Sequence, residues 1–194
     1  TRLLIPENKY DEAKTIVLAA VEKMKIGDPF AEGTRLGPVI SSAQKDRIRN
    51  YITTAKKEGA EVIVGDAEIP NELLSGNFVQ PTVLGKVKPN DTVAQEEIFG
   101  PVLSIITYKD EEEALKIANN TIYGLGGAVW SNDYDRAMQF ARHMRTGQVD
   151  INGAPFNTLA PFGGYKQSGN GREYGLYGFK EFFEIKSIQQ EIQK

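Results

Sequence analysis

Gly100-Pro101 and the run behind it, Val102-Leu103-Ser104-Ile105-Ile106-Thr107-Tyr108, constrain the fold of this chain more than any other stretch. Proline fixes its own φ and pushes the residue before it out of the helical region, so a helix arriving from upstream must stop there. The seven residues that follow are β-branched or apolar for the most part and have the length of a buried strand. Upstream, Asp91 to Gln95 is helix-compatible and runs into the carboxylate pair Glu96-Glu97. If the segment around Glu97 is extended, Glu97 and Phe99 project to the same side, because side-chain direction repeats every two residues. A carboxylate there can accept from two adjacent hydroxyls, such as those of a ribose, while the aromatic edge packs on a flat ring. The plainer alternative is a solvated glutamate pair and a core phenylalanine entering a strand.

Elements alternate on both sides of this strand. Leu3-Leu4-Ile5 is a strand ended by Pro6, and Asn8 with Asp11 stands in capping-box position before a helix over residues 9–25. That helix is expected to bury Ile16, Ala19, Ala20 and Met24. A second helix starts at Ser41 or Ser42, carries Ile48, Tyr51, Ile52 and Ala55 on one face, and stops at Gly59. Glu61 to Val64 is a short strand, Asp66 to Gly76 an irregular connection, and Asn77 to Val87 an extended run whose Pro81 puts it at an edge or a bend. Asp110-Glu111-Glu112-Glu113 opens an acidic helix start to about Asn119. Tyr123 to Trp130 reads as a strand, Asn132 or Asp133 as the cap of a helix ending near Gly147, and Val149 to Asn152 as a strand. Alternation of this kind implies an α/β fold with a largely parallel sheet and flanking helices.

Composition narrows the chemistry. The 194 residues contain no cysteine and one histidine, His143, which excludes disulfides, thiolate metal sites, multi-histidine metal sites and a cysteine nucleophile from this chain. A net charge of −3 without a dense Lys/Arg stripe offers no nucleic-acid footprint. No apolar run reaches the roughly 20 residues of a membrane span, and no signal-peptide pattern opens the sequence, which fits a cytoplasmic protein.

Residues 153–175 place Gly153, Gly163, Gly164, Gly169, Gly171 and Gly175 among Lys166, Arg172 and aromatics. The spacing denies a phosphate loop: Tyr174 stands where the dinucleotide fingerprint needs its third glycine, and no Gly-Lys-Ser/Thr occurs. A short helix over 176–181 and an alternating run from Phe183 to Gln189 close the chain. Such a terminal strand pairs either within its own subunit or with a neighbour's sheet.

Four stretches, in this order and spacing, resemble the aldehyde dehydrogenase superfamily over essentially the whole chain. They are Glu96 to Val102, Asn120-Thr121-Ile122-Tyr123-Gly124-Leu125, Gly147-Gln148-Val149-Asp150-Ile151-Asn152, and Pro161 to Glu173. Thr1-Arg2 resembles the residues just after that family's catalytic cysteine. The resemblance therefore implies a nucleophile, a general-base glutamate and an NAD(P)-binding domain upstream of Thr1. It implies that residues 1–175 are a catalytic-domain portion and 176–194 a C-terminal helix and oligomerisation strand. In the family a thiolate attacks the aldehyde, a hydride passes to the nicotinamide, and water hydrolyses the resulting thioester.

Carried onto this sequence, the resemblance gives Glu97 a hydrogen bond to the nicotinamide ribose and sets Phe99 beside the nicotinamide. Gln44 and Arg47 approach the cofactor's other ribose and phosphates, although for Arg47 a solvated helix face is the favoured reading. Phe162 lines the aldehyde pocket and Phe156 or its neighbours its entrance. Glu173 is a proton relay, and Arg172 pairs with Glu184 near a subunit interface. The partners implied are NAD or NADP, an aldehyde, the rest of a parent chain and further copies in a dimer or tetramer. Without a cysteine of its own, the chain cannot run the family's chemistry alone. The favoured reading is a portion of such an enzyme, and the alternative is a non-catalytic binding or oligomerisation module.

Overall fold

The computed structural model describes residues 1–68 and 76–191. Part of the expected connection over Asp66 to Gly76 and the end of the C-terminal segment lie outside the described residues. Two compact units emerge, Thr1–Asn120 and Thr121–Lys194. The boundary expected at residue 175 falls within the second.

The first unit contains β1 (Arg2–Pro6), α1 (Tyr10–Val21), α2 (Ser42–Glu58), β2 (Glu61–Val64), β3 (Thr82–Gly85), α3 (Thr92–Gln95), β4 (Val102–Tyr108) and α4 (Glu111–Asn119). Its sheet has the order β1-β4-β3-β2, parallel except for the β2–β3 pair. Strand β4 is central, as its composition requires, and its alternate residues serve two cores. Ile106 and Val102 join Ile48, Ile52 and Ala55 of α2 on one face. Ile105, with Ile5 and Val83, packs on the other against Tyr10, Ala13, Val17 and Val21 of α1.

Local signals explain the well-formed helices. The Ser41 hydroxyl accepts from the Gln44 amide at the start of α2, and Gly59 ends that helix at φ 99°. Asp110 caps α4 by accepting from the Glu113 amide at 2.9 Å, and Glu113 returns the bond by accepting from Lys109 N–H at 2.8 Å.

Three expectations are corrected. Helix α1 starts after a 3₁₀ turn over Glu7–Lys9, Lys9 is its N-cap without a side-chain bond, and Asn8 caps nothing. The stripe it packs on the sheet is the partly buried Tyr10, Ala13, Val17 and Val21, not the expected one: Ile16 is 62% exposed and Met24 47%. Both stripes are apolar at helical spacing, and only the position of the sheet decides between them. Strand β3 is internal and buried throughout, not an edge. Pro81 precedes its first residue, so no ladder donor is lost, and the ladder side is opened by Thr82 N–H donating to Pro101 O at 2.8 Å.

The second unit contains β5 (Gly126–Val129), α5 (Tyr134–His143), β6 (Gln148–Ile151) and α6 (Gly175–Lys180). β5 and β6 pair in parallel, and Asp133 caps α5 by accepting from Arg136 N–H. Residues 184–191 are exposed and carry no regular structure. The alternating run from Phe183 is thus not a strand within this chain, because no ladder partner stands beside it among the described residues.

Candidate functional site

The segment Glu96–Gly100 lies between α3 and β4, and its geometry departs from a simple extended strand. Glu96 is extended, with ψ 152°, but Phe99 sits at φ 55°. A bulky side chain in the left-handed region costs roughly 1–3 kcal/mol and persists only where neighbours over-determine it. The period-two reason for placing Glu97 and Phe99 on one side therefore fails at Phe99. What the conformation achieves is a division of side chains: Ile98 is buried at 2% exposure, whereas Phe99 stands 68% exposed.

Helix α2 supplies the restraint. The Gln44 amide nitrogen donates to the carbonyls of both Ile98 and Phe99, at 3.0 and 3.1 Å. Arg47 Nη2 donates to the Glu97 carbonyl at 3.0 Å and to the Tyr51 hydroxyl at 3.1 Å. Tyr51 in turn donates to Glu96 Oε2 at 2.7 Å, a bond that raises the Tyr51 pKa. Gln44 and Arg47, expected at the cofactor, thus meet the protein backbone that carries Glu97 and Phe99. Tyr51 had been read only as a core-face residue. Its partner lies 45 residues away, and no sequence spacing signals the contact.

The Glu97 carboxylate is exposed and enters none of the ion pairs among the described residues. It lies close to the start of β1. The Glu97 carboxylate is near enough to Thr1 for the two to interact electrostatically. Arg2 itself donates to the carbonyls of Ile117 and Ala118, both at 2.9 Å, fastening the start of β1 to the last turn of α4.

In the second unit, Phe156, Phe162 and Tyr174 form an aromatic cluster. Phe156 meets Phe162 edge-on at 5.8 Å between centroids and Tyr174 at 5.5 Å. Tyr174, used in the sequence only to deny a phosphate loop, joins the two expected pocket residues. Phe162 and Glu173 exchange both backbone hydrogen bonds, at 2.8 and 2.7 Å, so Glu173 is tied to the aromatic cluster through its main chain while its side chain is exposed.

Arg172 does not pair with Glu184. Its Nη1 donates to the carbonyls of Gly164, Asn170 and Gly171, at 2.9, 3.1 and 2.8 Å, and its guanidinium lies 5.5 Å from the Tyr165 ring centre. The Gly-rich loop turns its carbonyls inward around this cation, which holds the arginine away from the exposed tail. Among the described residues no group of His, Asp and Glu side chains is arranged to hold a metal.

A sequence model of the aldehyde dehydrogenase family matches residues 1–188. The chain belongs to that family. It is 46% identical, over 188 residues, to a 3-succinoylsemialdehyde-pyridine dehydrogenase of a Pseudomonas species, covering 97% of this chain and 39% of that one. A variant of aldehyde dehydrogenase C from Pseudomonas syringae, solved with NAD+ and octanal, superposes with a TM-score of 0.94 at 41% identity, over 97% of this chain and 39% of that one. A Mycobacterium tuberculosis aldehyde dehydrogenase with NAD+ gives 0.90 at 43% identity, over 94% and 38%. The chain spans about 40% of the length of the curated relatives it matches.

Proposed function

We propose that this chain is the catalytic-domain portion of an NAD(P)-dependent aldehyde dehydrogenase that oxidises an aldehyde to the carboxylic acid. The observation that carries this reading is the exposed Glu97–Phe99 turn, strained at Phe99 and fastened through its carbonyls to Gln44 and Arg47. Packing does not explain an aromatic ring held in solvent by a costly backbone conformation, whereas a ligand does.

The side chains present fit a nicotinamide nucleoside. With its backbone carbonyls bonded to α2, the turn keeps the Glu97 carboxylate and the Phe99 ring available to a ligand. Glu97 accepts from the ribose hydroxyls, and Phe99 supplies an apolar edge beside the nicotinamide. When bound, that ring accepts the hydride leaving the aldehyde carbon. Phe162 and Phe156 form a wall of the aldehyde pocket, and Glu173 is a candidate proton carrier. A thiolate nucleophile has to come from residues outside this cysteine-free sequence. The relatives solved with NAD+ and octanal support NAD and an aldehyde as ligands, and the exposed run from Phe183 is the candidate contact to a second copy in a cytoplasmic oligomer.

The test uses the complete gene product, NAD+ or NADP+ and a series of aldehydes, with reduced nicotinamide followed by absorbance. Glu97→Gln is expected to lower kcat/KM for the cofactor by roughly 10- to 100-fold, the range for losing charged hydrogen bonds, with no change in fold. Cofactor-linked oxidation that is insensitive to this substitution would remove Glu97 from the site. Cofactor binding without turnover of any aldehyde would favour the non-catalytic module.

A further inference from the structure

Gln44, Arg47, Tyr51 and Glu58 occupy one narrow stripe of α2. At 100° per residue they fall within an arc of about 60°. Their partners run in the opposite chain direction: Ile98 and Phe99 for Gln44, Glu97 for Arg47, Glu96 for Tyr51 and Thr92 for Glu58. Glu58 accepts from Thr92 N–H at 3.0 Å and also from its hydroxyl, so the stripe holds both the start of α3 and the turn that follows it. In the middle stands the Tyr51 hydroxyl, which receives a hydrogen bond from Arg47 and donates one to Glu96. The Arg47 guanidinium also lies 5.3 Å from the centre of the Tyr51 ring.

Two adjacent glutamates are thereby separated in role. Glu96 is bonded to Tyr51, and Glu97, whose carbonyl is held by Arg47, keeps its carboxylate exposed. We propose that Tyr51 is a positioning residue: through Glu96 and Arg47 its hydroxyl fixes the height and direction of the Glu97–Phe99 turn, and so the seat of the nicotinamide ribose. This assignment deepens, and rests on, the dehydrogenase reading. The hydroxyl touches neither cofactor nor substrate. It acts by keeping one carboxylate occupied and one arginine aligned, and the ring that carries it is left in place by Tyr51→Phe.

The experiment compares wild type, Tyr51→Phe, Glu96→Gln and the double variant of the complete gene product. Hydrogen exchange of the amides of residues 96–100 is measured without ligand. Kinetics with NAD+ and a C1-deuterated aldehyde are measured in parallel. Tyr51→Phe is expected to speed exchange in this segment by about two- to tenfold, the range for one net hydrogen bond, and to leave exchange in β4 unchanged. It is expected to lower kcat/KM for NAD+ by a similar factor, with a larger primary isotope effect as hydride transfer slows. The double variant should be no worse than the more affected single one, because the two groups share one interaction. Unchanged exchange at 96–100 in Tyr51→Phe overturns the proposal, as do fully additive losses in the double variant. If the wild-type protein oxidises no aldehyde with NAD+ or NADP+, the dehydrogenase reading and with it the ribose seat fall. The exchange result then still decides whether Tyr51 holds the turn.

Discussion

Phe99 and Phe156 are both more than half exposed, yet the chain holds them by opposite means. Phe99 sits on a turn whose carbonyls are bonded to Gln44 and Arg47, above a core that includes Ile48 and Ile98. Phe156 leans on the edges of Phe162 and Tyr174, and the loops beneath those rings depend on glycine. A Cβ built on Gly147 would run into the backbone carbonyl of Gly163, one on Gly163 into that of Gly171, and one on Gly175 into that of Leu159. The first unit thus fixes its site chiefly by polar side chains, and the second chiefly by close backbone approach, with Arg172 as the polar tie among its glycines. Polar ties set one backbone conformation and suit a ligand part that never varies, such as a cofactor's ribose. Ring edges give area without direction and tolerate exchange, which suits a pocket wall that sets substrate preference.

The largest effect should come from breaking the glycine contacts. Gly147→Ala places its methyl group on backbone that cannot rotate away, and a loss of about 3 kcal/mol or more is expected in denaturant unfolding. Gly171→Ala has open space at its Cβ and no positive φ, so it should stay within about 0.5 kcal/mol of wild type. If the two variants are equally stable, close backbone approach is not what holds the second unit's loops.

A smaller effect separates the two aromatic sites. Gln44→Ala strips the donors from two carbonyls, one of them on buried Ile98, and is expected to cost about 1–2 kcal/mol. Its functional signature should be a higher KM for the cofactor. Phe156→Leu stays apolar but is smaller and loses two edge-on contacts, a cost of about 1 kcal/mol, and should alter preference among aldehydes while leaving the cofactor KM alone. The contrast collapses if both substitutions move the same kinetic constant.

Much of the first unit was legible because its signals are local. Ser41, Gly59, Asp110 and the run from Val102 each act within a few residues of themselves, and α2, α4 and β4 form where they indicate. The α1 face was not legible, since two apolar stripes compete and only the sheet chooses between them. The family motifs pointed to Glu97, Phe99, Gln44 and Arg47 together. The left-handed φ of Phe99 and the bonds from α2 remained hidden, because their partners lie about 50 residues apart and have no pattern of their own. The expected Arg172–Glu184 pair failed for a related reason: carbonyls of a glycine-rich loop compete for a guanidinium as effectively as a distant carboxylate, and sequence does not display carbonyls.

The smallest predicted effect probes how far the polar-tie principle extends through the first unit, because α1 is joined to β2 by a titratable pair. The Tyr10 hydroxyl donates to Glu61 Oε2 at 3.1 Å, and Lys14 and Lys86 also approach that carboxylate. Burial first, then the bond to Glu61, pushes the Tyr10 pKa up to about 12. A folded-state pKa above the unfolded value of about 10 contributes stability that is complete below pH 10 and is lost as pH rises toward 12. Glu61 has the opposite sign: the Lys14 hydrogen bond is the largest cause holding its carboxyl below the usual value, so its contribution is present above about pH 4.5 and is lost as pH falls through the folded pKa. Tyr10→Phe should therefore be less stable than wild type by roughly 1 kcal/mol between pH 6 and 9, and the gap should close above pH 10. Urea midpoints taken across that range read the difference directly. A gap that stays constant to pH 11.5 would mean that the phenol does not titrate against the fold, although its hydroxyl would still help to tie α1 to β2.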